Sequence, residues 1–342
     1  MLGIIGILLS LCLLMFMAYK GFSVIVFAPI FALLAAIFSG MAIMPTYTEI
    51  FLPNLGKYVT TYFPFFLLGA IFGKTMEQSG AAKAIAKTIV EKLGKKRAML
   101  SVVLSAAILT YGGVSLFVVA FAVYPFAASI FKEADIPKRL VPGTIALGAF
   151  TFTMDSLPGT PQIQNSIPMK FFNTDLYAAP VMGILGAIII LTGGMVYLEW
   201  RKRVAQAAGE GYGENHTNEP IMVEDDSLPN AFISAIPLVS VLIVTLILQK
   251  LVFPHWDIVS WVTKAPYNML PTGVVGTMNN WALMIALIVG IVLAMLINPK
   301  RMKGNIAKAI NAGAIGSLLA VLHVFFSLDY NQYFILFNYK NI

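Results

Sequence analysis

Two apolar stretches of this chain are interrupted by polar residues that could bind a solute. One interruption, called the break here, covers residues 155–162, Asp-Ser-Leu-Pro-Gly-Thr-Pro-Gln. Its first residue, Asp155, is the only acidic residue between Leu140 and Lys170. An ionisable group inside an apolar segment is a functional candidate because its charge is costly to bury. Asp155 therefore predicts a site for a coupling proton or cation, and the alternatives are a helix N-cap or a carboxylate at the outer water interface.

The other interruption, called the tip here, covers residues 110–115, Thr-Tyr-Gly-Gly-Val-Ser. The tip offers backbone N–H groups and hydroxyls, the break adds neutral donors, and N–H groups at a helix N-terminus attract a carboxylate. Together they predict a site for a small polyhydroxylated or hydroxy-carboxylate anion. The alternative is that the hydroxyls bond back to helix carbonyls. The predicted substrate-binding residues are Thr110, Tyr111, Gly112, Gly113, Ser115, Ser156, Gly159, Thr160, Gln162 and Asn165.

The composition indicates a membrane protein. Of 342 residues, 58% are hydrophobic and only 11% are charged, whereas about a quarter of an ordinary soluble domain is charged. Uncharged runs long enough to cross a bilayer recur along the chain. We therefore expect an all-α polytopic protein that contacts the lipid bilayer and binds no nucleic acid. The single cysteine and the three scattered histidines predict neither a disulfide framework nor a clustered metal site, and no cofactor is expected.

The basic residues predict an orientation, because short loops rich in Lys and Arg face the cytoplasm. We place on that side the clusters at 92–97, 132–139, 201–203 and 300–308, and we leave Lys57, Lys170, Lys250 and Lys264 outside. The N-terminus is then outside. The only long polar segment, 199–229, becomes a cytoplasmic linker.

Segment 98–131 is predicted to be a re-entrant helical hairpin with its tip at mid-membrane. Arg97 and Lys132 lie on the same predicted side, but the uncharged residues between them are fewer than the roughly 40 that two full crossings need. Gly112 and Gly113 divide the segment, and adjacent glycines free the backbone from helical geometry. A tight pair of short, tilted spans is the alternative.

Segment 140–172 is predicted to be a broken span. Pro158, Gly159 and Pro161 fall within four residues, and such a sequence cannot continue an α-helix. Broken backbone is tolerated in a membrane where it lines a cavity, and successive interruptions point to the binding site of a transporter. The remaining predictions are spans at 2–19, 21–44, 58–76 and 176–198, and an amphipathic interfacial helix at 80–97.

With these motifs the chain resembles the GntP-type gluconate permease family of the ion transporter superfamily. The resemblance rests on Gly-Gly-Val-Ser-Leu-Phe at 112–117, on Phe-Gly-Lys-Thr-Met-Glu-Gln-Ser-Gly at 72–80, and on Leu-Pro-Gly-Thr-Pro at 157–161. It implies a secondary transporter of the bacterial inner membrane, a proton symporter of gluconate, a related sugar acid or hydroxybutyrate. It also implies inverted repeats that each contain a re-entrant hairpin, an elevator motion and a homodimer.

The resemblance divides the chain into a first membrane repeat at 1–198, the linker at 199–229 and an incomplete second repeat at 230–342. Family chains are longer, and the composition of 323–342 shifts abruptly to Asn, Tyr and Phe, so we expect a truncated or frame-shifted C-terminus. Transport of a small organic anion with protons is the leading hypothesis. The alternatives are a non-transporting fragment or assembly subunit and, more weakly, a membrane-embedded enzyme.

Overall fold

The computed structural model describes residues 2–114, 116–172, 174–214, 228–257 and 278–328. These residues form helices joined by turns, and no strand occurs among them. Within the described ranges, five helices are long and apolar enough to cross a membrane: Leu2–Tyr19, Ile43–Gln78, Pro180–Ala207, Ala231–His255 and Asn280–Ile297. Many large apolar side chains on these helices are exposed, as expected for surfaces that face lipid. The chain is therefore a multi-pass helical membrane protein.

The chain divides into two compact units, of which the first comprises Met1–Leu67 with Ala314–Ile342. Helix α1 (Leu2–Tyr19) and helix α2 (Val24–Phe38) pack together in this unit. Leu14, Ala28, Ala32 and Phe51 form its buried core. Small alanines at the contact allow the two helices to approach closely, which is how helices pack in lipid.

Helix α3 (Ile43–Gln78) begins well before the span that the sequence predicted at 58–76. Pro45 lies in the first turn of this helix, where its missing N–H group breaks no helical hydrogen bond. A π-helical turn at Thr46–Phe51 then widens the helix before Pro53. Pro45 and Pro53 are therefore accommodated within the helix.

The second unit, Leu68–Gly313, contains the tip and the break. Its elements are α4 (Ala81–Leu93), α5 (Ala98–Tyr111), α6 (Leu116–Glu133), α7 (Val141–Ala149), α8 (Phe152–Asp155), α9 (Ile163–Phe172), α10 (Pro180–Ala207), α11 (Ala231–Ile247), α12 (Met278–Ile297) and α13 (Pro299–Met302). The last helix, α14 (Ile306–Leu328), begins in this unit. Helices α5 and α6 form a helical hairpin, and the predicted broken span is divided into α7, α8 and α9.

Helix α4 is amphipathic. Ala82, Ile85 and Val90 are buried, whereas Lys87 and Glu91 on the opposite face are exposed and form a loose ion pair of 3.9 Å. The buried face packs against α5, α6 and α11. Its position at the surface of the membrane stays a prediction.

Helix α10 continues past the predicted end of its span at 198, and an i,i+3 ion pair of 2.7 Å between Glu199 and Lys202 supports the added turns. Residues 208–214, called the strap here, then dock on the loop between α6 and α7. The backbone N–H of Tyr212 donates to Asp135 Oδ1 at 2.8 Å. The first part of the expected linker is therefore packed; the rest of it at 215–227, the predicted tail beyond 328 and Ser115 lie outside the described residues.

Candidate functional site

The tip and the break lie against each other. The Gln162 amide nitrogen Nε2 donates to the carbonyl oxygens of Thr110 at 2.7 Å and of Val114 at 3.3 Å. In the other direction, the Tyr111 hydroxyl donates to the Pro158 carbonyl at 2.8 Å. Two helices that end within the protein leave carbonyls without helical partners. Here, side chains of each interruption satisfy the carbonyls of the other.

Glycines allow the backbone to turn sharply at both places. Gly113 has φ 93° and Gly159 has φ 83°, a left-handed region that strains residues with a side chain. Space is also restricted, because a Cβ atom at Gly113 would lie 3.0 Å from Pro161 Cγ, and one at Gly159 would collide with the ring of Tyr177. The close contact of tip and break thus depends on glycine at both positions.

The polar side chains of the break mostly bond to backbone carbonyls. The Thr160 hydroxyl donates to the Thr153 carbonyl at 2.8 Å. The Asn165 amide donates to the carbonyls of Thr160 at 3.2 Å and of Leu176 at 3.1 Å. Carbonyls freed from a helix at membrane depth need such partners. These predicted substrate donors therefore hold the broken backbone in this structure.

Thr110 differs from them. Its side chain is completely buried, and its Oγ1 atom has no hydrogen-bond partner among the described residues. Thr144, equally buried, donates to the Leu140 carbonyl at 2.8 Å, as threonines in helices usually do. A buried hydroxyl without a partner is uncommon and needs a physical explanation. The Thr110 hydroxyl is therefore the polar group of the tip that the described residues leave without a hydrogen-bond partner.

Asp155 is exposed and accepts a hydrogen bond of 2.9 Å from the Ser156 hydroxyl. It is the last residue of α8 and not a residue that precedes a helix, so the N-cap alternative is wrong. The chain turns into the break directly after this residue. Its carboxylate thus lies at the edge of the break and outside the packed interior.

Phe72 and Tyr177 also contribute to the site, although the sequence did not single them out as site residues. Phe72 is completely buried, with its ring 3.7 Å from a Cβ position at Gly113 and 3.0 Å from one at Gly290. Tyr177 lies over Gly159 and donates to the Leu242 carbonyl at 3.0 Å. These contacts join residues far apart in the chain, so no local pattern could have predicted them.

Helix α10 runs antiparallel to the broken segment. Gly143 faces Leu198, and Leu147 contacts Gly194. Further along, the backbone of Ser156 packs on Gly183 so closely that any side chain there would collide with its carbonyl. Glycines on α10 therefore form the surface that supports α7 and the start of the break.

A separate groove between α6 and α7 has a volume of about 450 Å³. It is lined by Ala120, Phe121, Tyr124, Val141, Pro142, Ile145, Ala146 and Phe150. Such an apolar lining cannot compensate the desolvation of an anion. The groove is therefore not the predicted anion site.

Five apolar helices of spanning length among the described residues, together with two further apolar segments whose polar interruptions contact each other, are typical of membrane transporters. Comparison with known families agrees with this class. The model of the GntP family permeases matches residues 2–324, and the chain belongs to this family. Because its members are permeases, the enzyme alternative is excluded.

Individual relatives are also described as transporters. The chain is 47% identical over 333 residues to the Bacillus subtilis protein described as uncharacterized transporter YxjC, a match that covers 94% of this chain and 70% of that protein. It is 26% identical over 214 residues to a high-affinity gluconate transporter of Escherichia coli, covering 59% of this chain and 45% of the relative. A gluconate permease of Bacillus licheniformis is 29% identical over 153 residues, which cover 43% of this chain and 32% of that protein. No solved structure matches the chain.

Proposed function

We propose that the protein is a secondary permease that moves a small organic anion, such as gluconate, a related sugar acid or a hydroxy-carboxylate, together with a proton. The observation that supports this function best is the contact between tip and break, with the buried Thr110 hydroxyl left without a partner beside it. The hydroxyl donates to a substrate oxygen, and the N–H groups that begin α6 attract the carboxylate. Tyr111 and Gln162 hold the two interruptions in register, and Asn165 holds the break to the segment at Leu176.

The two neighbouring helices support placing this site at mid-membrane. Gly112 packs against Leu238, about 10 Å from the start of α11 at 1.5 Å per residue. Ser156 packs against Gly183, about 22 Å along α10 from Leu198, where the apolar part of that helix ends. When the start of α11 and Leu198 both lie at one edge of a hydrocarbon core of about 30 Å, the tip lies about 10 Å and the break about 22 Å from that edge. The two interruptions then lie on either side of the centre of the core. The distances favour a re-entrant hairpin over two short spans.

In this proposal Asp155 binds the coupling proton. A carboxylate beside a membrane break is costly unless it faces water or binds a cation, and Asp155 is exposed at the edge of the break. The predicted basic loops favour a cytoplasmic strap and an N-terminus outside, and the family favours a bacterial inner membrane. Inverted repeats and a homodimer remain part of the same proposal.

Uptake of labelled gluconate and 3-hydroxybutyrate into proteoliposomes, with and without an inward proton gradient, tests the function. We expect concentrative uptake that requires the gradient. Thr110→Val keeps the shape of the side chain and removes the hydroxyl, and uptake should fall about tenfold or more, as for loss of a hydrogen bond to a charged group. Thr144→Val, at a buried hydroxyl away from the tip, is the matched control.

Asp155→Asn tests the coupling residue in the same vesicles. The variant should lose stimulation by the proton gradient while it still exchanges internal for external substrate. Glu91→Gln, which removes an exposed carboxylate on α4, should retain both activities. Gradient-driven uptake by Asp155→Asn at the native rate would reject the coupling role, and specific binding without any uptake would favour a non-transporting protein.

A further inference from the structure

A cluster of Asp175, Tyr177 and Lys250 borders the site, and the proposed function assigns these residues no part in binding the substrate or the proton. Lys250 Nζ lies 2.6 Å from Asp175 Oδ2. The other carboxylate oxygen, Asp175 Oδ1, accepts the backbone N–H of Tyr177 at 2.8 Å. One carboxylate therefore connects a cation on the extension of α11 to the segment between α9 and α10.

Tyr177 covers the break. Its ring occupies the space where Gly159 would have a side chain, and its hydroxyl donates to the Leu242 carbonyl at 3.0 Å. The neighbouring Leu176 carbonyl accepts the Gly159 N–H at 2.7 Å. The position of segment 174–178 thus determines whether the backbone of the break is accessible.

The ion pair between Lys250 and Asp175 is placed so that another carboxylate can replace that of Asp175. Lys250 lies in the π-helical turn Leu248–Val252 that follows α11, and π-turns within helices are common at functional sites. Its side chain is 49% exposed, against 22% for that of Asp175. A partly exposed ion pair contributes little net stability, so a second carboxylate can replace Asp175 on the ammonium group.

We propose that Lys250 is the first group to bind the carboxylate of the substrate and that Asp175 is its competitor within the protein. When the substrate carboxylate binds Lys250, Asp175 is released from the ammonium group, and segment 174–178 loses one of its two polar contacts with α11 and its extension. The other contact, from the Tyr177 hydroxyl to the Leu242 carbonyl, then opens and uncovers Gly159. The break then becomes accessible. This inference rests on the proposed function, and it assigns to that site a residue that determines the specificity for carboxylates.

The test measures initial uptake of whichever of gluconate and 3-hydroxybutyrate the wild-type protein accumulates in proteoliposomes. Lys250→Gln should raise KM about tenfold or more, the effect of losing a charge-assisted hydrogen bond. Lys250→Arg, which keeps the charge, should restore most of the affinity. Asp175→Asn should lower KM, because it removes the competing carboxylate.

The double variant Asp175→Lys with Lys250→Asp exchanges the two charges. It distinguishes a role of Lys250 in substrate binding from a role in a structural ion pair. It should keep the ion pair but leave KM high, because the cation is now on the other element. Lys87→Gln, which removes the exposed pair on α4, serves as the control for loss of a surface cation. Recovery of a native KM in the exchanged variant would overturn the role of Lys250 and leave the proposed function intact. No uptake by the wild-type protein would overturn both.

Discussion

At the residue scale, the chemistry of the tip and the break depends on which of their buried polar groups have hydrogen-bond partners. Gln162 provides two hydrogen bonds to carbonyls of the tip, and the Thr160 hydroxyl bonds a carbonyl near the end of α8. Among the described residues of the two interruptions, Thr110 has a buried hydroxyl without a hydrogen-bond partner. The residues proposed to bind the substrate and those that hold the backbone of the two interruptions are therefore adjacent but different.

Gln162→Leu should destabilise the protein and reduce uptake. The substitution removes the side-chain donor from the carbonyls of Thr110 and Val114. Thr110 keeps the Gly113 N–H as a partner, whereas an unsatisfied buried group costs about 1–3 kcal/mol. Thermal unfolding in detergent, followed by tryptophan fluorescence, measures the loss. Gln164→Leu, at an exposed position two residues further along, should unfold at the native temperature. Equal unfolding temperatures for the two variants would contradict the bridging role of Gln162.

At the scale of elements, the site depends on helices that approach each other closely. Helix α10 supports the broken segment through glycines, because Gly194 contacts Leu147 and Gly183 contacts the backbone of Ser156. At the opposite end of α10, the strap joins that helix to the loop between α6 and α7. These contacts hold the hairpin, the broken segment and α10 in one arrangement.

Gly183→Ala should shift the break, because the added methyl group collides with the Ser156 carbonyl, a backbone atom that cannot rotate away. Overpacking of this kind costs about 1–3 kcal/mol, and transport should fall with stability. Gly193→Ala is the matched control, since a Cβ atom there meets nothing within 4 Å. Native uptake and unfolding temperature in Gly183→Ala would show that α10 does not constrain the break.

The strap should open at acidic pH. Arg139 and Glu210 form a bidentate pair with distances of 2.5 and 2.6 Å, and the hydrogen bond to Arg139 lowers the pKa of Glu210 below its ordinary value of 4.5. A lowered carboxyl pKa stabilises the docked strap above pH 4.5 and stops doing so as the pH falls through the lowered value. The protection of the Tyr212 amide against hydrogen exchange, taken relative to the intrinsic rate at each pH, should decrease in that range.

In Glu210→Gln, the protection of the Tyr212 amide against exchange should be low already at pH 7. Acidification should then cause no further loss of protection through this pair. Glu214→Gln, at an exposed position beyond the pair, should behave as the native protein does. If the amide stays protected in Glu210→Gln, the pair does not hold the strap.

At the scale of the whole molecule, every described residue of the tip and the break belongs to the unit Leu68–Gly313. The basic clusters next to α5, α6 and α7 lie at the same end of the hairpin, because α5 and α6 are antiparallel neighbours. This arrangement agrees with the prediction that Arg97 and Lys132 lie on one side of the membrane. The unit Met1–Leu67 with Ala314–Ile342 contains no predicted site residue.

Cysteine labelling in cells tests the proposed orientation. With the native Cys12 changed to Ser, Lys57→Cys should react with a membrane-impermeant maleimide added outside the cell. Glu91→Cys, on the face of α4 that is exposed, should react only after the membrane is permeabilised. The opposite pattern would invert the topology, and labelling of both positions from outside would contradict the positive-inside assignment.

Sequence alone was sufficient where the physical cause is local. The apolar runs predicted a helical membrane protein, since only helices satisfy backbone groups within lipid over such runs. The motifs predicted the family, and the glycine pair and the prolines predicted where the helices stop. The span predicted at 58–76 began too late, because α3 starts at Ile43, with Pro45 in its first turn and a π-helical turn after it.

The tertiary structure decided what these local breaks do. That the tip meets the break, that Gln162 and Tyr111 connect them, and that Tyr177 covers Gly159 depend on packing between segments distant in the chain. Packing also left Thr110 without a partner and docked the strap, which the polar composition of 199–229 had indicated to be a loose linker. Periodicity and turn chemistry report each residue's own neighbours along the chain, whereas a binding site is formed by neighbours in space.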